Sequence, residues 1–137
     1  MSKRNTSAVN SCEQFKNRSL PHRLKFATQG IICVFKSEKS FRFQTFAAVV
    51  ALVLAFVLNF SSIEFCVVLI CIGAVLAAEL GNSALEYWID FIHPEIHPQI
   101  KLVKDTLAGM VLVTSLCSFC IGLILFVPRL VAFLDFK

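Results

Sequence analysis

The residues most able to do chemistry are Glu79, Asn82, Glu86 and Asp90, in the run Glu79-Leu-Gly-Asn-Ser-Ala-Leu-Glu86-Tyr-Trp-Ile-Asp90. On a helix advancing about 100° per residue, the last three fall about 300°, 340° and 20° round from the first, so all four share a stripe roughly 80° wide. Leu80, Leu85, Trp88 and Ile89 fill the other faces. The sixteen residues before the stripe, Ile63 to Ala78, hold a single charge, Glu64, which puts the acids at or near membrane depth. Acids there are costly and face a bundle interior, a water cavity or a reaction site. Two chemistries suit them. Carboxylates beside an amide can hold Mg²⁺ against a substrate phosphate and take a proton from an attacking hydroxyl. An ion or proton path uses buried acids equally well, and periodicity does not separate the two.

The elements that must position the stripe follow from composition. At 137 residues the chain is one domain at most, and 57% hydrophobic residues with a mean hydropathy of +0.75 make the bilayer its natural solvent. Nine of the thirteen Lys and Arg precede the first long apolar run. A basic segment placed there reads as a lipid-facing cytoplasmic flank rather than a nucleic-acid surface. The expected class is an all-α integral membrane protein with three transmembrane helices and an N-terminal amphipathic interfacial helix. Residues 1–18 read as a polar tail and 19–137 as the membrane domain. Within it the interfacial helix covers about 20–38 and the spans about 43–60, 63–92 and 106–127, against ~20 residues needed to cross.

Asn59, Ser61 and Ser62 form the first turn, and His93-Pro94 and His97-Pro98 end the second helix, because proline disfavours helix in the residue before it. A loop holding Lys101, Lys104 and Asp105 then leads to the third span, which Pro128 closes ahead of a short tail. The positive-inside rule puts the N-terminus, the stripe's far end and that loop on the cytoplasmic side, leaving Arg129 and Lys137 outside. The long polar start carries no early apolar core, so no signal peptide is expected. Tyr87 and Trp88 suit an interfacial aromatic belt. Cys117-x-x-Cys120 lies inside an apolar run without a second ligand pair and reads as packing.

Three acidic elements therefore meet at the inner interface: Glu38, the stripe, and Lys104-Asp105. No Gly-rich phosphate loop appears, so a nucleotide site would have to be borne by helices. Here the sequence resembles a known family. Glu79 to Asp90 is similar to the signature E-x-x-N-[ST]-A-[IL]-E-x-x-[VI]-D of the prokaryotic diacylglycerol kinases and their undecaprenol kinase relatives. His97-Pro98-x-x-Lys101-x-x-Lys104-Asp105-x-x-Ala108-Gly109-x-Val111-Leu112 resembles their next segment. Glu38-x-x-Phe41-Arg42 resembles the element before their first span, and Lys25-Phe26-Ala27-x-x-Gly30-Ile31 their N-terminal helix. The match runs over about residues 20 to 127, in order and with family spacing.

The resemblance implies an ATP-dependent lipid kinase, a homotrimer of three-span subunits in the bacterial inner membrane with sites shared between neighbours. Its acceptor would be the hydroxyl of diacylglycerol or of undecaprenol. It implies Glu79 as general base with Asn82 beside it, and Glu38 and Glu86 as holders of the Mg²⁺ that bridges the ATP phosphates. ATP contacts would come from Phe26, Glu38, Glu86, Glu95, His97, Lys104 and Asp105, with Asp90 and Arg42 in support. Gly81 departs from the family, standing where a bulky aliphatic is usual. Ser19 stands where some members have an Arg, and Ser40 where a small residue or Asn precedes Phe-Arg. The competing class is a non-enzymatic, oligomeric proton- or ion-conducting subunit.

Overall fold

A computed structural model describes residues 19–95 and 97–135. The polar tail at 1–18 lies outside them. Among the described residues four helices follow one another: α1 (Leu20–Ser37), α2 (Lys39–Val57), α3 (Ser62–Ile92) and α4 (Pro98–Asp135). The chain divides into two units, the first ending at Cys33 and the second beginning at Val34.

The first unit holds most of α1. Ser19 opens the helix, its carbonyl accepting from the amides of His22 (3.0 Å) and Arg23 (3.2 Å). Pro21 sits in the first turn, where its missing N–H has no partner to lose. Of the four helices α1 has the most one-sided distribution of apolar residues, as expected of an amphipathic helix.

In the second unit α3 is the central rod, packing on α2 and on α4. Only one residue separates α1 from α2. Glu38 is extended there (φ −97°, ψ 120°), although its amide still donates to the Val34 carbonyl at 2.8 Å. The last carbonyls of α1 lack helical donors, and the Arg42 guanidinium supplies them, donating to Lys36 at 2.8 Å and Phe35 at 3.3 Å. The turn between α2 and α3 uses Asn59 in the left-handed region (φ 52°), a conformation Asn accepts more readily than most residues. Ser61 then caps α3: its hydroxyl accepts from the Glu64 amide at 3.4 Å while Glu64 Oε2 accepts from the Ser61 amide at 2.7 Å. His93, extended before Pro94, ends α3.

The third span differs from the sequence expectation at both ends. α4 begins at Pro98, not near 106, so Lys101, Lys104 and Asp105 are helical rather than in a loop. Pro98 suits the first helical position, and His97 Nδ1 accepts from the Gln99 amide at 3.2 Å, satisfying an orphan donor. Nor does Pro128 close the helix, which runs on to Asp135. A proline removes one backbone bond, but the other backbone groups of a membrane span find no water to bond to outside the helix, so a long span continues through it. α2 likewise starts at Lys39 and ends at Val57, earlier than the expected 43–60.

Three of these helices are long and apolar enough to cross a membrane. The buried core is small, with Phe41, Ala55, Leu58 and Val68 as its apolar members beyond Val34. α4 buries no residue fully, and large side chains such as Phe56 and Phe91 point outward. Such an inside-poor, outside-apolar distribution belongs to a protein solvated by lipid. The chain is an all-α integral membrane protein.

Candidate active site

Within α3 the four residues of the stripe meet different surroundings. Glu79 is 5% exposed. Asn82 and Glu86 are half-buried, and Asp90 is exposed. Ser83, one turn beyond Glu79, is 1% exposed, its small side chain admitting close packing at this level. The stripe therefore runs from a dry end to a wet one.

At the dry end Gln44, in the second turn of α2, donates through Nε2 to Glu79 Oε1 at 2.9 Å. One turn on, Asn82 Nδ2 donates to Glu86 Oε1 at 3.1 Å, the i,i+4 contact that the helix permits. The charges of Glu38 and Glu86 both bear on Glu79, so three carboxylates, two from α3 and one from the break before α2, share one electrostatic neighbourhood. Glu38 is drawn into it by Tyr87, whose hydroxyl donates to Glu38 Oε1 at 2.9 Å and is also hydrogen-bonded to Ser37. At the wet end Lys104 reaches across from α4 to pair with Asp90.

The structure thus brings together Glu38, Glu79, Asn82 and Glu86, and separately Asp90 with Lys104. Arg42 is bonded to the end of α1 and pairs with no carboxylate among the described residues. Glu95 and His97 lie in the turn between α3 and α4 and line a shallow depression of about 330 Å³ with His93 and Val103. Asp105 is exposed on the second turn of α4. Phe26 belongs to the first unit, where its ring meets His22 edge-on at 4.9 Å.

Two contributors are not among the residues expected from sequence. Gln44 carries one usable signal, an amide set between Phe43 and Phe46 in an apolar run, since polar groups at that depth need partners. Tyr87 fits an aromatic belt by its sequence position. Its ring does lie at the surface, but its hydroxyl binds Glu38. An ion pair of Glu38 with Lys36 or Lys39 does not form among the described residues.

Two buried amide oxygens, Gln44 Oε1 and Asn82 Oδ1, have no hydrogen-bond partner among the described residues. Such atoms are rare in folded proteins and mark places where a ligand, water or ion completes the structure. Beside Gln44 an almost wholly apolar groove of about 400 Å³ opens between α2 and α4, lined by Ala47, Ala51, Leu76, Ser115 and Phe126 among others. Gln44 thus joins a largely buried carboxylate cluster to an apolar groove, which suits chemistry at the hydroxyl of an amphiphile.

The sequence also matches known proteins. The family model for prokaryotic diacylglycerol kinase matches residues 25–126. The chain is 36% identical to an undecaprenol kinase of Bacillus subtilis over 104 residues, which is 76% of this chain and 85% of that protein. It is 34% identical to a diacylglycerol kinase of Haemophilus influenzae over 106 residues, 75% of this chain and 89% of the relative. A diacylglycerol kinase of Synechocystis is 29% identical over 109 residues, 79% of this chain and 62% of the relative. The chain belongs to the prokaryotic diacylglycerol kinase family, and with it to the lipid kinases. A non-enzymatic ion-conducting role is not favoured.

Proposed function

We propose that this kinase transfers the γ-phosphoryl group of ATP to the hydroxyl of a long-chain membrane alcohol, undecaprenol or diacylglycerol, with Glu79 as the general base. The observation that carries the reading is the buried Glu79 carboxylate, held at 2.9 Å by Gln44, a residue that also lines the apolar groove. The lipid's hydrocarbon lies in the groove and its hydroxyl reaches the Glu79 oxygen that Gln44 leaves free. Glu79 takes the hydroxyl proton as the lipid oxygen bonds to the γ-phosphorus and the bond to the β-phosphate oxygen breaks. The products are lipid phosphate and ADP.

The donor set fits Mg²⁺. Glu38 and Glu86 each spend one oxygen on a neutral donor and keep the other, and Asn82 adds an unpartnered carbonyl. Two hard carboxylates without a closed cage are what Mg²⁺ uses when phosphates fill the rest of its shell. When bound there, Mg²⁺ offsets the charge of the transferring group. Lys104 neutralises nucleotide charge from the wet end, with Asp105, Glu95 and His97 beside it. The family resemblance adds Phe26 as a further nucleotide contact. Asp90 steadies Lys104. The distribution of Lys and Arg supports a cytoplasmic N-terminus in the inner membrane, so ATP arrives from that side. The family resemblance also supports a homotrimer.

Purified protein in mixed micelles, given ATP and either undecaprenol or 1,2-diacylglycerol, tests the reading. Phosphorylated lipid is expected from at least one alcohol, and the two arms assign the substrate. ATP consumption that depends on neither alcohol sinks the proposal.

A further inference from the structure

We infer that Gln44 is a positioning residue for the phosphoryl transfer, acting through Glu79 by holding its carboxylate in one orientation. The inference rests on the reading of Glu79 as base. An ionised carboxylate only accepts hydrogen bonds, so the amide nitrogen of Gln44 must face it and the carbonyl must face away. The contact spans two helices, Gln44 on α2 and Glu79 on α3, at 2.9 Å. Glu79 has no other side-chain partner among the described residues, while Glu38 and Glu86 repel it. A buried carboxylate with like charges around it and one donor takes its direction from that donor.

The same design occurs one turn away. Asn82 also spends its N–H on a carboxylate, Glu86, and also leaves a buried carbonyl unpartnered. Two amides each hold one acid and present one empty acceptor. For a purely structural amide an empty buried carbonyl is a defect, whereas beside a substrate site it is a docking point for a hydroxyl or a water. Gln44 also lines the apolar groove, so the group that aims the base borders the space a lipid would occupy. A base misdirected by about 1 Å loses on the order of 100-fold in rate without losing substrate affinity.

Three variants test this in the full-length protein, assayed with ATP and whichever alcohol is turned over. Gln44→Met keeps the bulk and removes the donor. Gln44→His keeps an N–H at similar reach. Gln44→Asn keeps the amide but shortens it by one methylene, about 1.5 Å, too far for a 2.9 Å bond. The expected result is a kcat lowered about 10- to 100-fold in Gln44→Met and Gln44→Asn with KM for ATP unchanged, and kcat recovered in Gln44→His to within about 5-fold. A role in burial or general polarity predicts that Asn is tolerated as well as His. Unchanged kcat in Gln44→Met, or Asn equal to or better than His, overturns the inference. Should Gln44→Met fail to accumulate in the membrane, the order of His and Asn decides alone. Glu79→Gln runs beside them: if it retains turnover, the base assignment itself has failed, whatever the Gln44 variants do.

Discussion

α3 carries one acid near its start and another at its middle, and the two are held in opposite ways. Near its start Glu64 has every oxygen committed. Oε2 accepts from the Ser61 amide and hydroxyl, both at 2.7 Å, and Arg129 donates to both oxygens at 2.8 and 3.1 Å. The guanidinium also lies 6.0 Å from the centre of the Phe60 ring, which is itself packed against Phe126 at 4.6 Å. At mid-helix Glu79 has one donor, two like charges nearby and an amide neighbour with an empty carbonyl. Glu64 is an acid whose bonding is finished within the chain, and Glu79 is one whose bonding is left open. On the proposed reading of Glu79 as base, an open set of partners marks the working carboxylate and a filled one the structural carboxylate.

The sharpest way to break that comparison is to remove one charge from each acid. Glu79→Gln is expected to lower kcat by about 10²- to 10⁴-fold with ATP binding nearly intact. Glu64→Gln is expected to leave kcat within about 2-fold and to lower the thermal midpoint in detergent, because it leaves Arg129 without its counter-charge. Steady-state kinetics and a melting curve on the same preparations check both, and the comparison collapses if the effects are exchanged. A smaller change comes from Glu86→Gln, which should raise the Mg²⁺ concentration for half-maximal rate about 10-fold as one of two carboxylate ligands is lost. An unaltered Mg²⁺ titration removes Glu86 from the metal site. The smallest belongs to the exposed pair: Lys104→Met is expected to raise KM for ATP about 10-fold, and Asp90→Asn only about 2-fold, since an exposed ion pair contributes little by itself. If Asp90→Asn is the more damaging, Asp90 touches the nucleotide and Lys104 merely supports it.

Much of the architecture is legible in the amino-acid sequence. Three apolar runs give three spans, and the 100° periodicity of Glu79, Asn82, Glu86 and Asp90 puts them on one face of one helix. What periodicity supplies is a face, not what sits opposite it. Gln44 is 35 residues from Glu79, and no local rule joins them. Tyr87 lies off the stripe, so its bond to Glu38 depends on the one-residue break before α2, which no strong breaker in the sequence announces. The prolines mislead for a physical reason. Pro94 does end a helix, but Pro98 starts one and Pro128 rides within one, and only the position of each ring in its own turn distinguishes the cases.

The two ion pairs between α3 and α4 also fix something neither fixes alone. Asp90 meets Lys104 at one end and Glu64 meets Arg129 at the other. Their anchor points are 26 residues apart on α3 and 25 on α4. At 1.5 Å per residue those spacings are about 39 and 38 Å, nearly equal lengths on two antiparallel rods. A rod pinned at both ends cannot slide along its partner without parting both pins together. α4 is therefore held in axial register like a ruler clamped to a scale, and the height of Lys104 above Glu79 is set in part by a guanidinium near the other end of the helix.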